Sequence, residues 1–189
     1  MAQSADIAGG RVPPQPNARR VRRRRPLLAL TGIALAALLL PDLHAPALRL
    51  VWNASASLPL GLYRIEPGTS VRVGELAAAR PSPALERFMA ERRYVERNVP
   101  LLKPVAAASG ATVCRTGPRV TIDGHEVATA LAHDRFGRAL PRWSGCRMLG
   151  PNDIFLIAPG SATSFDSRYF GPVTRGQVIG SAVPLWTWR

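Results

Sequence analysis

Lys103 is the only lysine in a chain of 189 residues whose other 24 basic side chains are all arginine. An arginine does not give up its proton in a protein, whereas a lysine amine can lose it where burial disfavours the charged form. Lys103 stands among Leu101, Leu102 and Val105, an apolar setting of that kind. Ser57 lies 46 positions earlier, inside the small and hydroxyl-rich stretch Asn53-Ala54-Ser55-Ala56-Ser57-Leu58-Pro59-Leu60-Gly61-Leu62-Tyr63. A serine becomes a nucleophile when a base takes its proton, and an amine whose pKa falls from about 10.4 toward 7 or 8 can take it near neutral pH. Read singly, each feature has a plainer meaning: a lone lysine is also a compositional leftover on a solvated strand, and a Ser/Ala/Pro stretch is also an ordinary loop.

Histidine is the commoner base, but His44, His125 and His133 are dispersed. His133 and Asp134 are sequence neighbours that point to opposite faces of a strand, so a Ser-His-Asp triad has no positive support. Neither do the histidines form a ligand pattern with Cys114 and Cys146, so no metal and no cofactor is expected. In an oxidising compartment Cys114 and Cys146 are expected to pair, closing a loop for a contribution on the order of 3 kcal/mol.

The elements that position these residues begin with the N-terminus. Residues 1–25 hold seven arginines against the single acid Asp6, together with Gly9, Gly10, Pro13, Pro14 and Pro16. They read as a disordered basic cytoplasmic tail. Without them the formal charge of +13 falls to +7, spread singly over the remaining residues. No clustered basic stripe with interleaved aromatics is present, and nucleic-acid binding is not expected. Leu27 to Leu40 is an unbroken apolar run. As a helix it rises about 21 Å against a hydrocarbon core of about 30 Å, so the span must draw on residues toward Leu48. Residues 26–48 are therefore expected to form a signal-anchor transmembrane segment, with the arginine block in the cytoplasm and residues 49–189 exported. The rival reading takes Ala45-Pro46-Ala47 as a cleavage site that releases a soluble product.

The exported part reads as mainly β with one short helix, a single domain of adequate length for its own core. Strands are expected at Ser70 to Leu76, Asp153 to Ile157 and Gln177 to Val183, with a hairpin at Val120 to Val127 turning on Asp123-Gly124. The helix is expected from Pro83 to Arg97, capped by Ser82, with Leu85, Phe88, Met89 and Val95 as its apolar stripe.

Three segments together resemble the serine, lysine and S-x-D-S-R boxes of type I signal peptidases. They are Ser57 to Tyr63, then Leu101 to Val105 running on to Gly110-Ala111-Thr112-Val113-Cys114, then Ser164-Phe165-Asp166-Ser167-Arg168-Tyr169-Phe170-Gly171-Pro172-Val173. The Gly-Leu-Tyr and Tyr-Phe-Gly-Pro-Val extensions are more similar to the conjugative-transfer branch, the TraF-type peptidases that mature pilin precursors. The resemblance covers about residues 25 to 189 and implies a signal-peptidase-like β domain behind a single anchor. It implies Ser57 as nucleophile, Lys103 as general base, and Ser55 as the hydroxyl that joins the nucleophile's N–H in the oxyanion hole. Ser164 matches the serine that orients the lysine, and Asp166 and Arg168 match a supporting ion pair, with a more direct role for Asp166 open in this branch. The broader family has Gly-Asp where this chain has Gly110-Ala111, which puts the stability of that turn in question.

The implied activity is removal of a signal peptide from a pilin precursor at the inner (cytoplasmic) membrane. The catalytic domain would be periplasmic and the lipid bilayer a partner; some members of the branch cyclise the pilin instead. Trp52 and Leu58 are read as part of an interfacial surface near the anchor; Leu60, Leu62 and Tyr63 either join it or are ordinary core or strand residues, and Trp186 and Trp188 are read first as strand or core residues. Two other classes stay open: a non-enzymatic, membrane-anchored assembly factor of a conjugation or secretion apparatus, and a self-cleaving Ser/Lys regulator, against which an anchor argues. The sequence leaves the oligomeric state unknown.

Overall fold

The computed structural model describes residues 29–35 and 49–188. The chain forms two units, Met1–Pro46 and Ala47–Arg189. In the first, residues 29–35 are an exposed helix, α1. Among the described residues no helix is long and apolar enough to cross a membrane. The expected tail, most of the expected anchor and the Ala45-Pro46-Ala47 site lie outside the described residues.

The second unit opens with β1 (Leu50–Asn53), β2 (Leu60–Pro67), β3 (Leu76–Ala79), α2 (Pro83–Glu91) and β4 (Leu101–Ala107). Then come β5 (Thr112–Thr116), β6 (Arg119–Ile122), β7 (His125–Thr129) and β8 (Gly145–Met148). It closes with β9 (Asp153–Leu156), α3 (Ser167–Phe170), β10 (Val173–Thr174) and β11 (Val178–Trp188). The pairings are antiparallel and make two sheets, in the orders β1-β2-β11-β3-β4-β9-β10 and β7-β6-β5-β8. Mainly β is thus correct, but a second short helix, α3, joins the one expected.

Several details depart from the sequence reading. Residues 70–75 turn instead of extending, because Gly74 takes φ +91° and the Glu75 carboxylate accepts the Arg72 amide; the strand begins at Leu76. Helix α2 starts as expected, with Ser82 Oγ accepting the Leu85 amide, but stops at Glu91 instead of Arg97. Arg93 adopts φ +56° and the Tyr94 amide folds back on the Met89 carbonyl, an ending that satisfies carbonyls left open by the last turn. Finally, Trp186 and Trp188 are not core residues. They stand exposed on β11 against Trp52 of β1, with ring centroids 5.3–6.4 Å apart. Tyr63 takes the core alternative, being buried with its hydroxyl on the Pro59 carbonyl.

Other expectations match. Asp123 and Gly124 both take positive φ, +49° and +83°, the geometry that closes the β6–β7 hairpin. The turn at Gly110-Ala111 is intact without the acid of the broader family: Gly110 N–H donates to the Leu149 carbonyl, and Asp123 accepts the Thr112 amide at 2.7 Å.

Strand β4 runs through all three apolar clusters of the unit. Leu102 packs with Val51, Tyr63, Ile65 and Ala78; Val105 with Ala77, Ala79 and Leu156; Ala107 with Val113, Phe155 and Tyr169. A residue on this strand is enclosed by core on several sides, and Lys103 is one such residue.

Candidate active site

The connection from β1 to β2, residues 54–59, carries Ser57. It is held at its root by the pairing of Asn53 with Gly61. Gly61 has φ +132°, and a Cβ there would come 2.1 Å from the Trp186 carbonyl oxygen, so only glycine lets β11 pass this close behind the turn. The glycine of the Gly-Leu-Tyr extension therefore positions the serine turn.

Lys103 lies opposite Ala77 on β3, where a small side chain leaves its stem room, and is 5% exposed. Its Nζ donates to Ser57 Oγ at 2.6 Å and to Ser164 Oγ at 2.9 Å. Burial lowers the amine's pKa from 10.5 to about 8; the nearby Asp166 carboxylate works against that shift and the Arg168 guanidinium adds to it. The amine can therefore lose its proton near neutral pH, and the Ser57 hydroxyl lies within hydrogen-bond reach of it.

Ser164 sits on the loop between β9 and α3, two residues before Asp166. The Asp166 carboxylate is fully buried and pairs with Arg168 through two parallel contacts, Nε to Oδ1 at 2.7 Å and Nη2 to Oδ2 at 2.9 Å. Asp166 also accepts the Ala158 amide, and Arg168 reaches the carbonyls of Ala158, Ala162 and Thr129. This fork ties both ends of the Ser164 loop together. The aromatic ring of Phe165 reinforces it, stacking on Phe88 of α2 and on Tyr169 of α3 at 5.6 and 5.4 Å. No sequence pattern marks Phe165 for this role; its partners are brought together by the fold.

Ser55 Oγ lies 3.0 Å from Ser57 Oγ and 2.9 Å from Asn53 Oδ1. Four of the resemblance-implied residues, Ser55, Ser57, Lys103 and Ser164, thus form one chain of contacts, and Asp166 with Arg168 stands behind it. Cys114 and Cys146 are elsewhere: they are opposite each other on β5 and β8, bonded at 2.05 Å. His125 and His133 are exposed, and Asp134 is taken by the Tyr94 hydroxyl and Arg138, so among the described residues no histidine-carboxylate pair serves Ser57. Among the described residues no group of acids, histidines or cysteines could hold a metal.

The chain is similar to several known proteins. The family model of signal peptidase, peptidase S26, matches residues 23–188. The conjugal transfer protein TraF of Agrobacterium tumefaciens is 37% identical over 183 residues, covering 89% of this chain and 99% of that protein. The plasmid transfer protein TraF of Escherichia coli is 32% identical over 145 residues, covering 72% and 82%. A signal peptidase I structure from Enterococcus faecalis aligns with 60% of this chain and 97% of its own at 18% identity and a TM-score of 0.35.

Proposed function

The chain belongs to the signal peptidase family, peptidase S26, and from that premise we propose that it is a membrane-anchored serine endopeptidase that removes the signal peptide of a conjugative pilin precursor. The observation that carries this reading is the 2.6 Å contact between Lys103 Nζ and Ser57 Oγ, made by an amine whose proton is loosened by burial. The similarity to conjugal and plasmid transfer proteins supports the choice of substrate class.

In the proposed reaction neutral Lys103 takes the Ser57 proton as Oγ attacks the carbonyl carbon before the cleaved bond. The negative charge that gathers on the carbonyl oxygen is met by the Ser57 amide and the Ser55 hydroxyl. Lys103 then gives its proton to the leaving amine, and an acyl-enzyme remains on Ser57. Water then gives a proton to Lys103 as its oxygen attacks the acyl carbon; the Oγ–C bond breaks, Lys103 returns the proton to Ser57 Oγ and the acid leaves. An amine attacking in place of water would join two peptide ends, the route to a cyclic pilin. Ser164 holds the lysine amine in place, and the Asp166–Arg168 pair holds Ser164.

The same reading puts residues 26–48 through the inner membrane and the second unit in the periplasm. The exposed Trp52, Trp186 and Trp188 then suit the bilayer interface, where an indole keeps its N–H wet and its rings in lipid.

The test is co-expression with a pilin precursor and mass analysis of the precursor's ends. Wild-type chain is expected to yield the shortened or cyclised product, and Ser57→Ala and Lys103→Arg are each expected to yield none while still inserting in the membrane. Normal processing by Lys103→Arg would refute the base assignment. Normal processing by both variants would leave the boxes as scaffold and make the chain an assembly factor.

A further inference from the structure

Asn53 is buried at the end of β1, outside the three boxes, and its side chain is fully engaged. Nδ2 faces the carbonyls of Ser55, Leu58 and Pro59 at 3.0, 3.3 and 3.0 Å. Oδ1 accepts the Ser55 amide at 3.1 Å and the Ser55 hydroxyl at 2.9 Å. The orientation of an amide is often a matter of choice, but not here: a backbone N–H can only donate and the carbonyls can only accept.

That orientation fixes a proton. Ser55 has one hydroxyl hydrogen, and Asn53 Oδ1, which cannot donate, holds it. The 3.0 Å contact between Ser55 Oγ and Ser57 Oγ is then left for Ser57 to donate, and Ser57 Oγ in turn accepts from Lys103. The resting site is a directed chain from Lys103 through Ser57 and Ser55 to Asn53. For the Ser55 hydroxyl to meet a developing oxyanion, its hydrogen must leave Asn53. A neutral carbonyl holds it less firmly than a carboxylate does.

We propose that Asn53 is a positioning residue of this peptidase, which acts through Ser55: it holds the Ser55 hydroxyl beside the nucleophile at rest and yields its hydrogen to the oxyanion. This rests on the Ser57–Lys103 reading above. Both Asn53→Ala and Asn53→Asp should then harm the reaction, the first by letting Ser55 wander, the second by gripping its hydrogen while giving up the donor that faces the Ser55, Leu58 and Pro59 carbonyls.

The experiment is a double-mutant cycle with the purified full-length chain in detergent, acting on the pilin precursor. Asn53→Ala and Asn53→Asp are each expected to lower kcat about tenfold or more, with KM within about twofold, as suits a misplaced oxyanion donor. In the Ser55→Ala background both losses should shrink to less than about threefold, since the hydroxyl through which Asn53 acts is gone. Losses that multiply unchanged onto Ser55→Ala, or wild-type kcat in both Asn53 variants, would overturn the proposal. Asn53→Asp, which keeps the side-chain shape, carries the same test where the alanine variant does not accumulate. Failure of the underlying reading is distinct, since it would appear as cleavage by Ser57→Ala.

Discussion

Two buried cations stand near each other in this protein, and burial has opposite consequences for them. Lys103 is 5% exposed and Arg168 2%. Among the described residues the lysine's hydrogen bonds go only to hydroxyls, those of Ser57 and Ser164. Arg168 meets a carboxylate through a two-pronged contact and three backbone carbonyls besides. A guanidinium so matched is a fixed tie, because its planar fork fits the carboxylate and it keeps its charge at every accessible pH. An ammonium given only neutral partners is left short of compensation for its lost water, and it answers by letting its proton go more easily. The lowered pKa of Lys103 comes from what was withheld from it.

The largest expected effect comes from making the two cations alike. Lys103→Arg keeps the charge and removes the neutral form, and the single-turnover cleavage rate is expected to fall about 10⁴-fold or more, as far as for Ser57→Ala. A smaller loss would mean that charge and not basicity is what the site uses. Next comes the structural cation. Asp166→Ala strands Arg168 as a buried unpaired charge, and unfolding by denaturant should show a loss of about 3–5 kcal/mol.

The third change runs the other way. Below about pH 8 the folded and unfolded chains both hold the Lys103 proton, and the folded state bears the cost of the buried charge. Between about 8 and 10.5 only the unfolded chain holds it, so stability rises with pH across that window; above 10.5 the cost is gone. Lys103→Met should therefore stabilise the inactive protein by up to about 3 kcal/mol below pH 8, an advantage that fades toward pH 10.5. Equal stability of the two proteins at all pH values would show that the amine is not desolvated. The smallest effect is expected for Ser164→Ala, about tenfold to a hundredfold in kcat with little change in KM, because the amine keeps its burial but loses one of the two contacts that aim it.

What the sequence revealed and what it hid divide along the same physical line. A unique lysine in an apolar strand, an Asp-Gly turn and a serine ahead of a proline helix start are local chemistry, and each appears in the structure where its residues stand. The turn at 70–75 was hidden because alternating Val71 and Val73 look like a strand until Gly74 and the Glu75 carboxylate bend the chain. Trp186 and Trp188 looked like strand interior because a strand's two faces are alike in sequence; which one faces solvent is decided by Trp52 and the neighbouring strands. Asn53 and Phe165 were invisible as parts of a site, since Asn53 is defined by the turn it closes and Phe165 by rings from α2 and α3. The length of α3, Ser167–Phe170, is too short to leave a periodic pattern at all.

The sequence itself supplies the most direct measurement. Because Lys103 is the only lysine, a chain labelled with nitrogen-15 at lysine Nζ gives a single side-chain amine signal, which can be followed by NMR as pH is raised. In the folded protein the midpoint is expected near pH 8, coincident with the rise of the cleavage rate. A midpoint near 10.5, the value of an unburied lysine, would contradict the claim that Lys103 is a base made by burial.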